Sequence, residues 1–172
     1  RLMEERDIEC RWVQNPENID EWASKIDKNT RFLYGELPSN PGQSFFDIAA
    51  VADLAHSHNL PLICDSTVAT PALLRPLCHG ADIVVQSATK SITSSGFGVC
   101  GALIARKNLV TNIDNEDLKK DFALYVKYLP NRDYGPNLHP MQAIMTLNDV
   151  RTLRSKMDLL SRNTMKVAQF LS

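Results

Sequence analysis

The sequence lacks the features that mark several common classes of protein. Its 172 residues include four cysteines, but none forms a C-x-x-C pair and no histidine lies at zinc-finger spacing from them. No apolar run approaches the roughly 20 residues that a membrane-spanning helix needs. The net charge is −1, so there is no electrostatic footprint for nucleic acid or for a membrane surface. We therefore expect a globular cytoplasmic protein with reduced, buried thiols, without bound metal and without nucleic-acid or membrane partners.

Short apolar segments alternate with helical segments along roughly the first 110 residues. Such strands, apolar throughout and separated by helices, predict an α/β fold with a mostly parallel sheet covered by helices on both faces. From Glu116 onward the pattern is helical. The predicted strands are 8–13, 31–35, 60–64, 82–86 and 99–105, and the predicted helices are 15–26, 47–58, 116–128 and one or two from about 140.

Polar side chains stand where three of these strands end. Asn40 follows the second strand, Asp65 ends the third, and Ser87, Thr89 and Lys90 follow the fourth. In open α/β sheets, ligands bind outside the carboxyl ends of the strands. These side chains are therefore expected to converge on one rim of the sheet.

The residue types at this rim suit a particular chemistry. A lysine acts as a covalent catalyst only when its amine is neutral for part of the time, and burial directly after a strand would favour that state for Lys90. The hydroxyls of Ser87 and Thr89 suit phosphate oxygens. A carboxylate such as Asp65 can keep a pyridine nitrogen protonated. Each residue alone is common in loops and helix caps, so only the ordered combination indicates a site.

Three blocks of sequence, with the spacing between them, resemble the Cys/Met-metabolism family of pyridoxal-phosphate enzymes. The blocks are Glu36–Pro41, Asp65–Pro71 and Gly80–Lys90. That family includes cystathionine γ-synthase, the cystathionine lyases, methionine γ-lyase and O-acetylhomoserine sulfhydrylase. The resemblance implies a fold-type I large domain, pyridoxal 5'-phosphate as cofactor, and a homodimer or homotetramer. It also implies elimination or replacement at the β or γ carbon of sulfur amino acids or activated homoserine esters, the chemistry of trans-sulfuration.

The resemblance further implies a role for each matching residue. Lys90 would be the Schiff-base lysine and would move protons at the α and β carbons of the substrate. Asp65 would pair with the pyridinium nitrogen. The other cofactor-binding residues would be Ser87 and Thr89 at the phosphate, Asn40 near the phenolic oxygen and the substrate carboxylate, and Thr67 beside the ring.

The sequence departs from the family pattern around the lysine. After the lysine, the family usually has an aromatic residue, then a Gly-His pair and an acid. In this chain the corresponding run, residues 91–101, does not follow that pattern. Gln86 stands where the family often has His. These changes predict altered chemistry in the loop beside the cofactor. They leave two alternatives open: a catalytically impaired scaffold or binding subunit, or a different fold-type I enzyme such as a decarboxylase or aminotransferase.

The extent of the resemblance predicts that residues 1–172 are part of a cofactor-binding large domain. The chain begins at Arg1, and family members are considerably longer. Helices over 138–172 are expected to lead towards a C-terminal domain. The family's Gly-rich phosphate loop, ring-stacking Tyr and substrate-binding Arg have no candidates in this sequence, so the isolated piece is expected to be inactive.

Overall fold

Four strands form one sheet at the centre of the computed structural model, which describes residues 4–93, 96 and 98–172. The strands lie side by side in chain order, with β1 parallel to β2, β2 parallel to β3, and β4 antiparallel to β3. The predicted α/β class and mostly parallel sheet are confirmed. The strands are β1 (Leu33–Glu36), β2 (Leu62–Asp65), β3 (Ile83–Ser87) and β4 (Gly101–Ala105).

Helices connect the strands and continue after the last one. Two short 3-10 helices occur at Glu4–Arg6 and Pro76–His79. The α-helices of the described residues are α1 (Ile19–Ser24), α2 (Ile48–Ser57), α3 (Thr70–Leu73), α4 (Glu116–Lys120), α5 (Phe122–Tyr128), α6 (Pro130–Tyr134), α7 (Pro140–Val150) and α8 (Leu153–Leu171).

Three predicted elements are corrected by the structure. The segment 8–13 is an exposed, irregular stretch, because a strand needs a neighbour for its backbone hydrogen bonds and no described strand lies beside it. Helix α1 begins after Asn18, whose side chain accepts the N–H of Asp20, and not at residue 15. The predicted helix 116–128 is divided at Asp121, whose carboxylate caps a new helix by accepting the N–H of Leu124.

One face of the sheet packs against α2. The helix begins at Asp47, which accepts the N–H groups of Ala49 and Ala50, as an N-cap does. Its buried stripe meets the strands, and Phe46 packs so closely on Gly35 that a side chain at Gly35 would collide with the ring. This core contains Leu33, Val51, Ala52, Ala55, Leu62 and Cys64.

The other face of the sheet is covered by the helices that follow β4. Because side chains alternate along a strand, Ile63, Ile83 and Val85 point to this second face. They pack with Leu118 and Phe122 of the helices α4 and α5. Helices therefore pack on both faces of the sheet at β2 and β3, whereas β4 is largely exposed, and the carboxyl ends of β1, β2 and β3 are open at one edge.

The opposite edge of the sheet holds a buried carboxylate. Asp82, fully buried at the start of β3, lies 2.8 Å from His56 Nε2 and accepts the N–H of Leu62 at 2.8 Å. Arg106 Nη1 lies 3.5 Å from its second oxygen. These contacts tie α2, β2, β3 and the end of β4 together.

The four cysteines are all free, and only some match the expectation that they are buried. Cys64 is fully buried, and burial, with a smaller contribution from the charge of Asp82, raises the pKa of its thiol to about 12. Cys100 is half-buried. Cys10 and Cys78 are exposed, so the expectation is wrong for these two thiols.

Candidate cofactor site

A pocket of about 440 Å³ opens at the edge where the three parallel strands end. This is the edge at which ligands are expected in an open α/β sheet. Five of the six predicted site residues share the pocket, and Thr89 is absent from its described lining. The lining residues are Glu36, Asn40, Asp65, Thr67, Val68, Ser87, Lys90 and Ser91.

Both oxygens of the Asp65 carboxylate are held by protein groups. Oδ1 accepts the backbone N–H of Thr67 at 2.8 Å, and the phenol of Tyr34 donates to Oδ2 at 3.4 Å. Burial, together with the negative charges of Asp65 and Glu36, raises the pKa of Tyr34 to about 12. The phenol therefore stays protonated, and it remains a donor to Asp65 at neutral pH.

Thr67 links the ends of two neighbouring strands. It is buried, and its hydroxyl oxygen accepts the backbone N–H of Ser87 at 2.8 Å. Its own N–H donates to Asp65, so one residue connects Asp65 at the end of β2 with Ser87 at the end of β3. The Asp65 carboxylate and the backbone of Ser87 are thus linked through Thr67 by two hydrogen bonds, each from a backbone N–H to a side-chain oxygen.

The loop after β1 brings Asn40 to the pocket. Glu36 is the register partner of Asp65, and its carboxylate accepts the backbone N–H of Asn40 at 3.1 Å. The Asn40 residue is exposed at the mouth of the pocket, as a residue that meets an entering ligand would be. Glu36 therefore positions the loop that carries Asn40.

Lys90 lines the pocket, but it is exposed to solvent. The expectation that burial after β3 would keep its amine dry is wrong for the described residues. The physical reason is that Lys90 lies in a turn beyond the strand, with its N–H bonded to the carbonyl of Ser87 at 3.2 Å. The neighbours of Lys90 in this turn, Ala88 and Ile92, are buried against Leu153 and Met157 of α8, whereas Lys90 itself lies at the open mouth of the pocket.

Thr89 points its hydrogen-bonding groups elsewhere. Its hydroxyl donates to the carbonyl of Cys100 at 3.1 Å and accepts the N–H of Cys100 at 2.9 Å. Its backbone N–H donates to the same carbonyl at 3.1 Å. The structure thus brings Thr89 to Cys100 and not to the other predicted residues.

Sequence reasoning missed four residues at or beside the pocket. Tyr34, Glu36, Val68 and Ser91 contact the site or line it. Glu36 could have been found, because it ends a strand beside the predicted Asp65, and Tyr34 lies two residues earlier on the same face.

Gln86 is buried and alternates with Ser87 along β3, so its side chain lies on the face away from the pocket. The altered loop chemistry therefore rests on run 91–101, of which residues 94, 95 and 97 lie outside the described residues.

The pocket contains groups that suit the aldehyde, the ring nitrogen and the phosphate of pyridoxal phosphate. An amine for the aldehyde is present in Lys90, and a carboxylate for the ring nitrogen is present in Asp65, already fixed by two donors. A hydroxyl donor for the phosphate is present in Ser87. The donor set thus matches the cofactor, although Thr89 does not add to it.

Among the described residues, no group of three or more His, Cys, Asp or Glu side chains is arranged to hold a metal ion. In the same part of the chain, no helix is both long and apolar enough to cross a membrane.

Two curated proteins are similar to this chain over most of its length. The chain is 33% identical to O-acetyl-L-homoserine sulfhydrylase of Corynebacterium glutamicum over 96% of its length, and 35% identical to L-methionine gamma-lyase of Treponema denticola over 92%. These alignments cover 43% and 36% of the two relatives, so the chain spans less than half the length of the curated relatives it matches.

A solved structure shares the fold as well as the sequence. The putative O-acetylhomoserine (thiol)-lyase of Campylobacter jejuni superposes with a TM-score of 0.89 and 32% identity, over 99% of this chain and 47% of that one. The crystallised protein carries an N'-pyridoxyl-lysine-5'-monophosphate residue. The predicted fold-type I architecture is therefore confirmed for this chain.

The family is settled by a match along the whole chain. The sequence profile described as "Cys/Met metabolism PLP-dependent enzyme" matches residues 1–172. Together with relatives above 30% identity and a shared fold, this match is decisive. The chain belongs to the Cys/Met-metabolism family of pyridoxal-phosphate-dependent enzymes.

Proposed function

We propose that the native protein containing this chain uses pyridoxal phosphate to catalyse elimination or replacement at the β or γ carbon of sulfur amino acids or activated homoserine esters. The observation that carries the proposal is the convergence of Lys90 and Asp65 on one pocket at the carboxyl edge of the sheet. Relatives named as sulfhydrylases and methionine gamma-lyases support the choice of substrate class.

Lys90 is the group that we propose handles protons. When bound, the cofactor supplies a conjugated ring that withdraws electrons from the bonds of the substrate α carbon. A neutral Lys90 amine can accept the proton released at that carbon and return it at the neighbouring one.

The remaining pocket residues bind and orient. The Asp65 carboxylate, fixed by Thr67 and Tyr34, would hold a proton on the ring nitrogen. The Ser87 hydroxyl would donate to a phosphate oxygen, and the Asn40 amide would donate to the phenolic oxygen and to the substrate carboxylate. Thr67 would lie beside the ring.

We also propose a cytoplasmic homodimer or homotetramer in which residues 138–172 connect the cofactor domain with a further domain. Unpaired thiols support a reducing compartment. Large exposed apolar side chains on the two last helices support further packing partners. Those side chains are Met141, Ile144, Leu147, Leu159, Leu160, Met165, Val167 and Phe170.

The proposal is tested by spectra and products of the full native chain. Pyridoxal phosphate is expected to acquire the visible absorption of an amine-condensed form with the wild-type protein and not with Lys90→Ala. Turnover is then assayed with cystathionine, with methionine, and with O-acetylhomoserine plus sulfide. A wild-type protein that condenses with the cofactor but converts none of these would favour either the scaffold alternative or a different fold-type I enzyme.

A further inference from the structure

The first turns of α8 pack against the turn that carries Lys90. Leu153 and Met157 are the two buried residues of this helix. They form one buried cluster with Ala88 and Ile92, which stand two residues before and two residues after Lys90. The turn is therefore held from behind by an apolar contact, although Lys90 itself lies at the mouth of the pocket.

Lys156, on the same part of α8, adds a polar contact to the apolar one. Its ammonium donates to the backbone carbonyl of Ile92 at 3.3 Å. The donor is charged and the site is partly buried, so this hydrogen bond is stronger than one between neutral groups in water. The contact reaches the chain two residues after Lys90, where the backbone leaves the turn.

Hydrogen bonds within the turn have a different reach. The N–H of Lys90 donates to the carbonyl of Ser87, and Thr89 is joined to Cys100. These bonds connect residues of the segment 87–100 with one another. The bond from Lys156 instead joins the turn to a helix 64 residues further along the chain. It therefore fixes where the turn as a whole lies.

Arg154 ties the same part of α8 to α3. Its Nη1 donates to the carbonyl of Ala72 at 2.9 Å, and Ala72 also packs against the buried cluster. Helix α3 begins at Thr70, five residues after Asp65. The start of α8 thus contacts both the turn that carries Lys90 and the helix that follows Asp65.

We propose that Lys156 is a positioning residue for Lys90: through the carbonyl of Ile92, it fixes the turn from which the Lys90 amine reaches the cofactor. The inference rests on the proposed function, in which Lys90 condenses with pyridoxal phosphate. Lys156 is absent from the described lining of the pocket, so it acts through the backbone turn and not by touching the cofactor.

The test is a double-mutant cycle in the full native chain with Lys156→Met, which keeps an unbranched apolar chain and removes the donor. With Lys90 present, the apparent affinity for pyridoxal phosphate, titrated by visible absorbance, is expected to fall about tenfold. With Lys90→Ala, cofactor binding is measured by equilibrium dialysis. There the same substitution is expected to leave the affinity unchanged, because Lys156 acts through Lys90.

Two further variants serve as controls. Lys156→Arg keeps a charged donor and is expected to regain most of the loss. Lys166→Met changes an exposed lysine further along α8 and is expected to leave the affinity unchanged. Urea unfolding of each variant ensures that folded proteins are compared.

Hydrogen exchange reports on the turn without any variant. The N–H of Thr93 donates to the carbonyl of Ala88 at 2.9 Å, which closes the turn around Lys90. A turn held by α8 predicts slow exchange of the Thr93 amide in the wild-type protein, and fast exchange would overturn the inference.

Two results of the cycle would also overturn it: an unchanged affinity in Lys156→Met, or an equal loss with and without Lys90, which would give Lys156 a general structural role. Condensation without turnover of any substrate would contradict the proposed function and leave the cycle valid. A wild-type protein that does not condense with pyridoxal phosphate would contradict both.

Discussion

Two aspartates at opposite edges of the same sheet have opposite surroundings. Asp82 is fully buried, and its oxygens are occupied by His56, the N–H of Leu62 and Arg106. Asp65 is held by the N–H of Thr67 and the phenol of Tyr34, and it also faces an open pocket. The Asp82 carboxylate is fully engaged by groups of the protein, whereas the Asp65 carboxylate is held in place and still accessible to a ligand.

The difference shows how one sheet separates stability from chemistry. A buried carboxylate is tolerated only when its hydrogen-bonding capacity is met, and meeting it leaves nothing for a ligand. At the carboxyl edge the strands end in loops, so a carboxylate there can be oriented by two donors and keep lone pairs for a third partner. Loss of Asp82 should therefore damage the fold, and loss of Asp65 should damage function.

The largest expected effect is at the accessible carboxylate. Asp65→Asn keeps an oxygen for the N–H of Thr67 but removes the charge that faces the pocket. We expect kcat of the full native chain to fall by about 10²–10³-fold, the usual effect of losing a preoriented electrostatic partner. The free energy of unfolding in urea should change by less than about 0.5 kcal/mol. Near-wild-type turnover would place the ring nitrogen away from Asp65.

The next effect concerns the buried carboxylate. Asp82→Ala leaves the N–H of Leu62 without its acceptor and removes the partner of His56, so we expect the free energy of unfolding to fall by about 2–3 kcal/mol. Asp82→Asn, which keeps an acceptor oxygen, serves as the milder control. Cofactor condensation should survive in the fraction of molecules that remains folded. A loss under about 1 kcal/mol for Asp82→Ala would argue against the structural role.

A smaller effect is expected at the thiol beside Asp82. The pKa of Cys64 rises from 9.0 to about 12, first through burial and then through the charge of Asp82. The folded state thus holds the proton more tightly, so its stability is unaffected by Cys64 below about pH 9 and declines as the pH rises towards 12. Urea unfolding across this range, compared with Cys64→Ala, should show a steeper alkaline decline in the wild type. Parallel curves for the two proteins would contradict the prediction.

The smallest expected effect separates orientation from charge at Asp65. Tyr34→Phe removes one donor to its carboxylate, a 3.4 Å contact at a half-exposed position, and should weaken cofactor binding by about two- to fivefold. Tyr128→Phe, at an exposed tyrosine of α5, is the matched control and should leave binding unchanged. Titration of cofactor absorbance measures both variants. An equal effect of the two would remove Tyr34 from the account of the site.

Local patterns predicted the parts of the molecule that depend on neighbours in sequence. The apolar spacing from Ile48 to Ala55 was enough to predict α2, because helical periodicity is a local property of the sequence. The segment 8–13 was predicted wrongly, because alternation alone cannot supply the neighbouring strand that a β-strand needs. The predicted helix 116–128 was also wrong as a single helix, because the Asp121 carboxylate caps the first turn of α5 and so divides it.

The site residues also fall into those that sequence could predict and those that depend on contacts between distant segments. Asn40, Asp65, Ser87 and Lys90 could be brought to one pocket from sequence, because parallel strands end at a common edge. The partner of Thr89 could not, because it depends on a contact with Cys100 across a loop. The exposure of Lys90 could not be predicted from sequence either, because it depends on which other segments cover the edge of the sheet.

The central claim is that the Lys90 amine is the one that condenses with pyridoxal phosphate. The most direct test is to add the cofactor to the full native chain, reduce the adduct with borohydride, digest the protein and locate the pyridoxyl group by mass spectrometry. The account predicts a single modified residue, Lys90, with labelling abolished in Lys90→Ala. A pyridoxyl group on another lysine, with Lys90 unmodified, would contradict it.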